Sequence, residues 1–73
     1  MISKNEAMSK LESEIKESHT VRFYEEHPEA YVFICKNKIT DAIPDTIFAA
    51  VNKRSGKMGY SVYDIDAAID CTM

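Results

Sequence analysis

The sequence predicts a small α+β fold in a single domain over residues 1–73. The elements expected are an N-terminal helix, an antiparallel β-hairpin and one or two C-terminal helices, the last optionally preceded by a short third strand. Three observations carry this expectation. Met8, Leu11 and Ile15 recur at helical spacing in an otherwise charged segment. Two β-prone runs flank His27-Pro28-Glu29. Pro44, Asp45 and Gly56 then place helix-start and helix-stop residues around a third apolar stretch.

The first helix is expected from Lys4 to Ser18. Ser3 and Glu6 have the spacing of a capping box, in which each side chain satisfies a free N–H at the other position. Glu6–Lys10 and Glu12–Lys16 are i,i+4 pairs in the favourable order, worth about 0.2–0.5 kcal/mol each.

The hairpin is expected from Thr20–Glu26 and Ala30–Lys36. Val21, Phe23 and Glu25 alternate with Arg22, Tyr24 and Glu26, the period of a half-buried strand. Tyr31 to Cys35 is apolar throughout, so both faces of that strand require cover. A turn over residues 27–29 sets Phe23 opposite Phe33 and Val21 opposite Cys35. Val32 and Ile34 then share the other face with Tyr24, a face that two strands alone cannot bury.

A second helix is expected from Pro44 to Arg54, with Ile47, Phe48 and Val51 inward, Lys53 and Arg54 in its last turn, and Gly56 as C-cap. Residues 57–73 fit two periods: Met58, Tyr60 and Val62 alternate, while Met58, Val62, Ile65 and Ile69 follow a helix. Ser61 and Asp64 repeat the capping-box spacing, which favours a short helix over Val62–Asp70. The core is expected from Met8, Leu11 and Ile15; from Val21, Phe23, Phe33 and Cys35; and from Ile47, Phe48, Val51, Ile65 and Ile69.

Composition bounds function. Leu, Ile, Val and Phe together supply 16 of 73 residues, so the hydrophobic content only just favours folding. A chain of this size buries about 60% of the surface its unfolded form exposes, and small domains commonly complete themselves against a metal, a disulfide or another chain. The net charge is −3, and every Glu lies within residues 6–29 while every Asp lies within 41–70. Up to Cys35 the chain carries −3; beyond it the charge is zero. Ile outnumbers Leu eight to one and Lys outnumbers Arg seven to two, the bias of AT-rich coding sequence, which points to a low-GC bacterium or one of its phages. No stretch is long and apolar enough for a membrane span, and no leader is evident, so a cytoplasmic location is expected, the host cytoplasm for a phage protein.

Chemistry-bearing patterns are sparse. Ser55-Gly56-Lys57 resembles the end of a phosphate loop, but Val51 stands where its first glycine belongs and Met58 where its Ser/Thr belongs. His19, His27, Cys35 and Cys71 lack the paired spacing of a zinc site. Asp64, Asp66 and Asp70 lack the glycine and closing Glu of a calcium loop and read as a solvated helix face. No catalytic residue, metal or cofactor is therefore expected, and the chain is read as a non-enzyme.

The function expected is a small protein-binding module that docks on a partner protein or on a second copy. An inhibitor or modifier of a host macromolecular system, encoded by a phage, fits the size and acidity. Its expected docking residues are Tyr24, Glu25, Glu26, Tyr31, Val32 and Ile34, since tyrosine is rigid and amphipathic and suits binding hot spots. The alternative is a small nucleic-acid-binding transcriptional regulator using Lys53, Arg54 and Lys57 with Tyr60 and Tyr63 as stacking partners. The net charge and the aspartates of the last helix weigh against it.

Overall fold

A strand that is apolar on both faces demands a neighbour on each side and a cover above and below. The computed structural model, which describes residues 1–39 and 45–73, supplies both neighbours within one chain and covers β2 on both sides except at Ile34. Its elements are α1 (Lys4–Ile15), β1 (His19–Glu26), β2 (Ala30–Asn37), β3 (Thr46–Asn52), β4 (Met58–Ser61) and α2 (Ile65–Asp70). The strands form one antiparallel sheet in the order β1-β2-β3-β4, so each pairs with its neighbours in sequence.

α1 begins as the sequence predicts. Ser3 Oγ accepts from the Glu6 N–H at 3.1 Å, and Glu6 Oε1 accepts from the Ser3 N–H at 3.2 Å. It ends at Ile15, three residues short of the expected Ser18. The reason lies in the sheet: the Ser18 carbonyl already accepts from the Lys38 N–H at 2.9 Å, extending the β1–β2 ladder.

The hairpin has the expected register, with Val21 opposite Cys35 and Phe23 opposite Phe33. A β-bulge then intervenes between Phe23 and Glu25, so that Glu25 faces Val32 and Glu26 faces Tyr31. The His27 N–H donates to the Ala30 carbonyl at 2.8 Å, leaving Pro28 and Glu29 as the turn. Proline suits the first of those positions because its φ is already set and it has no N–H to lose. A bulge on an edge strand also bends the strand away from uncontrolled pairing with other chains.

The expected helix from Pro44 to Arg54 is not formed over the described residues. Thr46–Asn52 is instead β3, paired along its whole length with β2; Pro44 itself lies outside the described residues. Ile47, Phe48 and Val51 fit either period, but Thr46, Ile47, Phe48 and Val51 are also good strand formers. The decisive term is non-local: β2 has a free hydrogen-bonding edge and two apolar faces, and only a strand satisfies both. Ile47 and Val51 consequently face one side of the sheet with Ala49, while Phe48 faces the other with Ala50. Gly56 is no helix C-cap. It takes φ +74° in the β3–β4 turn, where its N–H donates to the Asn52 carbonyl at 2.9 Å. Asn52 Oδ1 accepts from the Arg54 and Ser55 N–H groups at 2.9 and 3.1 Å and closes the same turn.

The C-terminal segment resolves both of its periods. Met58–Ser61 is a strand and Ile65–Asp70 a helix, shorter than the expected Val62–Asp70. Asp64, rather than Ser61, is the N-cap: its Oδ1 accepts from the Ala67 N–H at 2.7 Å. Ser61 Oγ accepts from the Tyr63 and Asp64 N–H groups at 3.1 and 3.3 Å, which holds residues 62 and 63 out of the helix.

The sheet thus separates two half-cores. On the first face α1 covers Phe33, Cys35, Ala49 and Val51 with Ala7 and Leu11. On the second, α2 covers Ala30, Val32 and Ala50 with Ala68 and Ile69. Phe23, expected in the core, sits at the sheet margin and is 37% exposed, with the Lys4 ammonium 4.6 Å from its ring centroid. Small residues at the centre of β3 and at Gly59 let α2 approach closely: a Cβ on Gly59 would collide with the Ala68 carbonyl oxygen and lie 2.6 Å from Cys71 Cβ.

Burial pushes the Cys35 thiol from 9.0 up to about 11. Its neutral form is therefore retained by the folded chain when the unfolded chain ionises. Between these values the unfolded state binds fewer protons, so stability falls as pH rises from 9 toward 11, by about 2 kcal/mol in all. Urea titrations at pH 8, 9.5 and 10.5 should show the decline, and Cys35→Ala should flatten it; an unchanged slope in that variant would remove the thiol as its cause.

Candidate functional site

The residues expected to form one docking surface are divided by the sheet. Pairing places Val32 and Ile34 on the second face and Tyr31 on the first. Beyond the bulge, Glu25 opposite Val32 lies on the second face and Glu26 opposite Tyr31 on the first. Val32 is fully buried beneath α2. Tyr31 is structural: its hydroxyl donates to the Ile2 carbonyl at 3.3 Å and its ring packs against the first half-core. Glu25 is engaged by His27, with Oε1 2.7 Å from the ring Nε2.

Tyr24 and Ile34 remain as a pair with open surface around them. α2 packs on β3 and β4 and reaches only the near part of β2. The second face beyond it, toward β1, has no cover among the described residues. Tyr24 is 49% exposed there, its ring centroid 6.3 Å from that of Phe48. Arg22, opposite Ile34, and Lys36, opposite Thr20 and Thr46, lie on the same side of the sheet. Sequence reading missed Arg22, Lys36 and Phe48. Alternation along β1 and β2 was sufficient to find the two cations, whereas Phe48 was hidden by assigning its segment to a helix.

The five residues of the alternative set are also dispersed. Lys53 is 9% exposed, and its Nζ lies 2.6 Å from Glu26 Oε2 and 5.0 Å from the Tyr31 ring centroid. Its backbone is tied on both sides: the N–H donates to Glu29 and the carbonyl accepts from Ile2, each at 2.9 Å. Lys53 therefore joins the hairpin turn, β3 and the N-terminal segment, and its charge is committed. Arg54 and Lys57 are exposed in the β3–β4 turn. Tyr60 and Tyr63 lie farther along, on β4 and in the loop before α2.

Those two tyrosines line a shallow open cleft of about 410 Å³ with Ile47, Ser61 and Val62. Tyr63 is 86% exposed, the greatest exposure of any aromatic in the described residues. Tyr60 belongs to the first face, opposite Ala49. Its hydroxyl pKa is raised from 10.0, first by burial and then by the negative charges of Glu14 and ionised Cys35. A second cleft, of about 290 Å³, lies between the two turns at the other end, lined by Pro28, Glu29, Arg54 and both terminal methionines among others.

Neither cleft holds a convergent set of catalytic groups. Among the described residues no three His, Cys, Asp or Glu side chains gather as a metal site, and no helix is long and apolar enough to cross a membrane. Cys35 is buried and Cys71 exposed, both as free thiols. No protein-family model matches the chain, and no curated protein or solved structure is significantly similar to it.

Proposed function

We propose that the chain is a non-enzymatic protein-binding module that docks through the open part of its second sheet face. One observation carries the reading: α2 covers that face over β3 and β4 and leaves Tyr24, Ile34 and the edge of Phe48 beside β1. An aromatic–aliphatic cluster bordered by Arg22 and Lys36 has the make-up of an interface centre with a polar rim. The intramolecular role of Tyr31 and Val32 removes them from this surface, and Arg22, Lys36 and Phe48 take their place.

The experiment is affinity capture on the immobilised chain, followed by titration of the captured protein against Tyr24→Ala and Ile34→Asp. Sedimentation of the chain alone runs beside it, to detect a second copy as the partner. Both variants should weaken binding at least tenfold with unchanged circular dichroism, while Glu12→Gln on α1 leaves affinity intact. Equal affinity for the two second-face variants would overturn the reading.

A further inference from the structure

We propose that the open strip beside α2 on the second sheet face is a groove for one amphipathic α-helix of a partner protein. That helix carries Lys or Arg on the flank that meets α2, and Asp or Glu on the flank that meets β1. The groove is the docking surface proposed above, so the assignment rests on that reading and names the kind of segment the surface takes.

The width of the strip sets the class of segment. α2 sits over β3 and β4. Neighbouring strands are about 4.8 Å apart, and packed helices lie about 8–10 Å from axis to axis. A second helix laid against α2 therefore has its axis over β1 and β2, the part of the face left open among the described residues. One helix fills that space, whereas a flat extended peptide would leave the side of α2 bare. Cross-strand pairing fixes the floor beneath such a helix. Arg22, Ile34 and Phe48 stand in one row across the face, and Lys36 lies two positions along β2 from Ile34. Tyr24 adds its ring beside that of Phe48.

The two sides of the strip carry opposite charge. α2 turns Ile65, Ala68 and Ile69 down onto the sheet. Cys71, its C-cap, is on the β4 side: its Cβ is 2.6 Å from where a Cβ on Gly59 would stand, and its Sγ is 4.0 Å from the Tyr60 carbonyl oxygen. At about 100° per residue, Asp66 lies equally far round the helix on the opposite flank, and Asp70 follows one turn later. Both carboxylates are exposed and border the strip. Across it, Arg22 on β1 and Lys36 on β2 are exposed on the same face. Among the described residues none of these four charges makes an ion pair, whereas Glu25, at the β1 margin, is already engaged by His27. A guest helix rests its apolar side on Tyr24, Ile34 and Phe48. Its Lys or Arg side chains lay their methylene stems along α2 and bring their heads to the aspartates. Two acidic flanks would set like charge against α2, and two basic flanks would set it against Arg22 and Lys36. Complementarity of this kind selects the partner more than it adds affinity.

The test is fluorescence anisotropy, at physiological salt, of three labelled helical peptides that share one leucine face. The mixed peptide has lysine on one flank and glutamate on the other; the remaining two have lysine on both flanks or glutamate on both. The mixed peptide should bind at least fivefold more tightly than either uniform one, and Ile34→Asp should abolish its binding. Asp70→Lys should erase its advantage over the glutamate peptide, and Arg22→Glu its advantage over the lysine peptide. Both positions are exposed, and a lysine in the last turn of α2 suits the helix dipole, so neither variant should unfold. Equal affinity of the three peptides, no binding of the mixed peptide at millimolar concentration, or an order of affinities unmoved by Asp70→Lys and Arg22→Glu would each overturn the proposal. Failure of the docking surface itself would show differently, as capture of a partner undiminished by Tyr24→Ala and Ile34→Asp.

Discussion

Gly59→Ala is expected to lift α2 from the sheet and to destabilise the domain by about 3 kcal/mol, at the upper end for overpacking. The added methyl would occupy the space of the Ala68 carbonyl oxygen and lie 2.6 Å from Cys71 Cβ and 3.1 Å from the Cys71 carbonyl carbon. Two of these obstacles are backbone, so no side-chain rotation relieves them. The helix must move as a body, and Ala30, Val32 and Ala50 then lose their cover. Urea denaturation should report the loss, and a hydrophobic dye should bind the variant under native conditions. A midpoint unchanged from the parent, with no dye binding, would show that α2 does not press on the sheet at Gly59.

Phe33→Ala is expected to cost about 3–5 kcal/mol, the usual range for a buried phenylalanine. Domains are stabilised by about 0.05–0.15 kcal/mol per residue, so this loss alone is comparable with the whole stability of so short a chain. Phe33 is the largest fully buried side chain, central on β2 beneath α1 and edge-on to Phe23 at 5.8 Å between ring centroids. Phe23→Ala provides the internal comparison: the same side chain, on the same face, but 37% exposed at the sheet margin. Its cost should be about 1–2 kcal/mol, the transfer term for the part it buries, without the cavity term that an enclosed site adds. Thermal melts of the two variants should therefore differ widely. Similar melting points would contradict the assignment of Phe33 to the centre of the larger half-core.

Local chemistry made a good part of this architecture readable. The Ser3–Glu6 box, the α1 stripe and the hairpin register all depend on residues within a few positions of one another or on simple alternation. So did the two-sided character of β2. β3 was not readable in that way. Ala49 and Ala50 are strong helix formers, and the spacing of Ile47 and Val51 suits a helix face as well as alternate strand positions. What decides the segment is the free edge of β2, which lies in another element. The bulge at Tyr24 escaped notice for a related reason, since nothing in the alternation of β1 announces an extra residue. Its effect on the candidate surface is direct: it puts Glu25 and Glu26 on opposite faces from those that unbroken pairing would give.

The sheet is a partition as well as a scaffold. α1 and α2 lie on opposite sides of it, so each half-core is sealed by a different helix. Those seals are unequal: twelve capped residues on one side, six on the other. A helix of six residues has almost no stability of its own, so its docking is set by what Ile65, Ala68 and Ile69 bury. The domain therefore has a built-in order of opening, in which the α2 side parts from the sheet while the α1 side stays closed. In energetic terms the molecule has one firm wall and one door, hung on opposite faces of the same sheet.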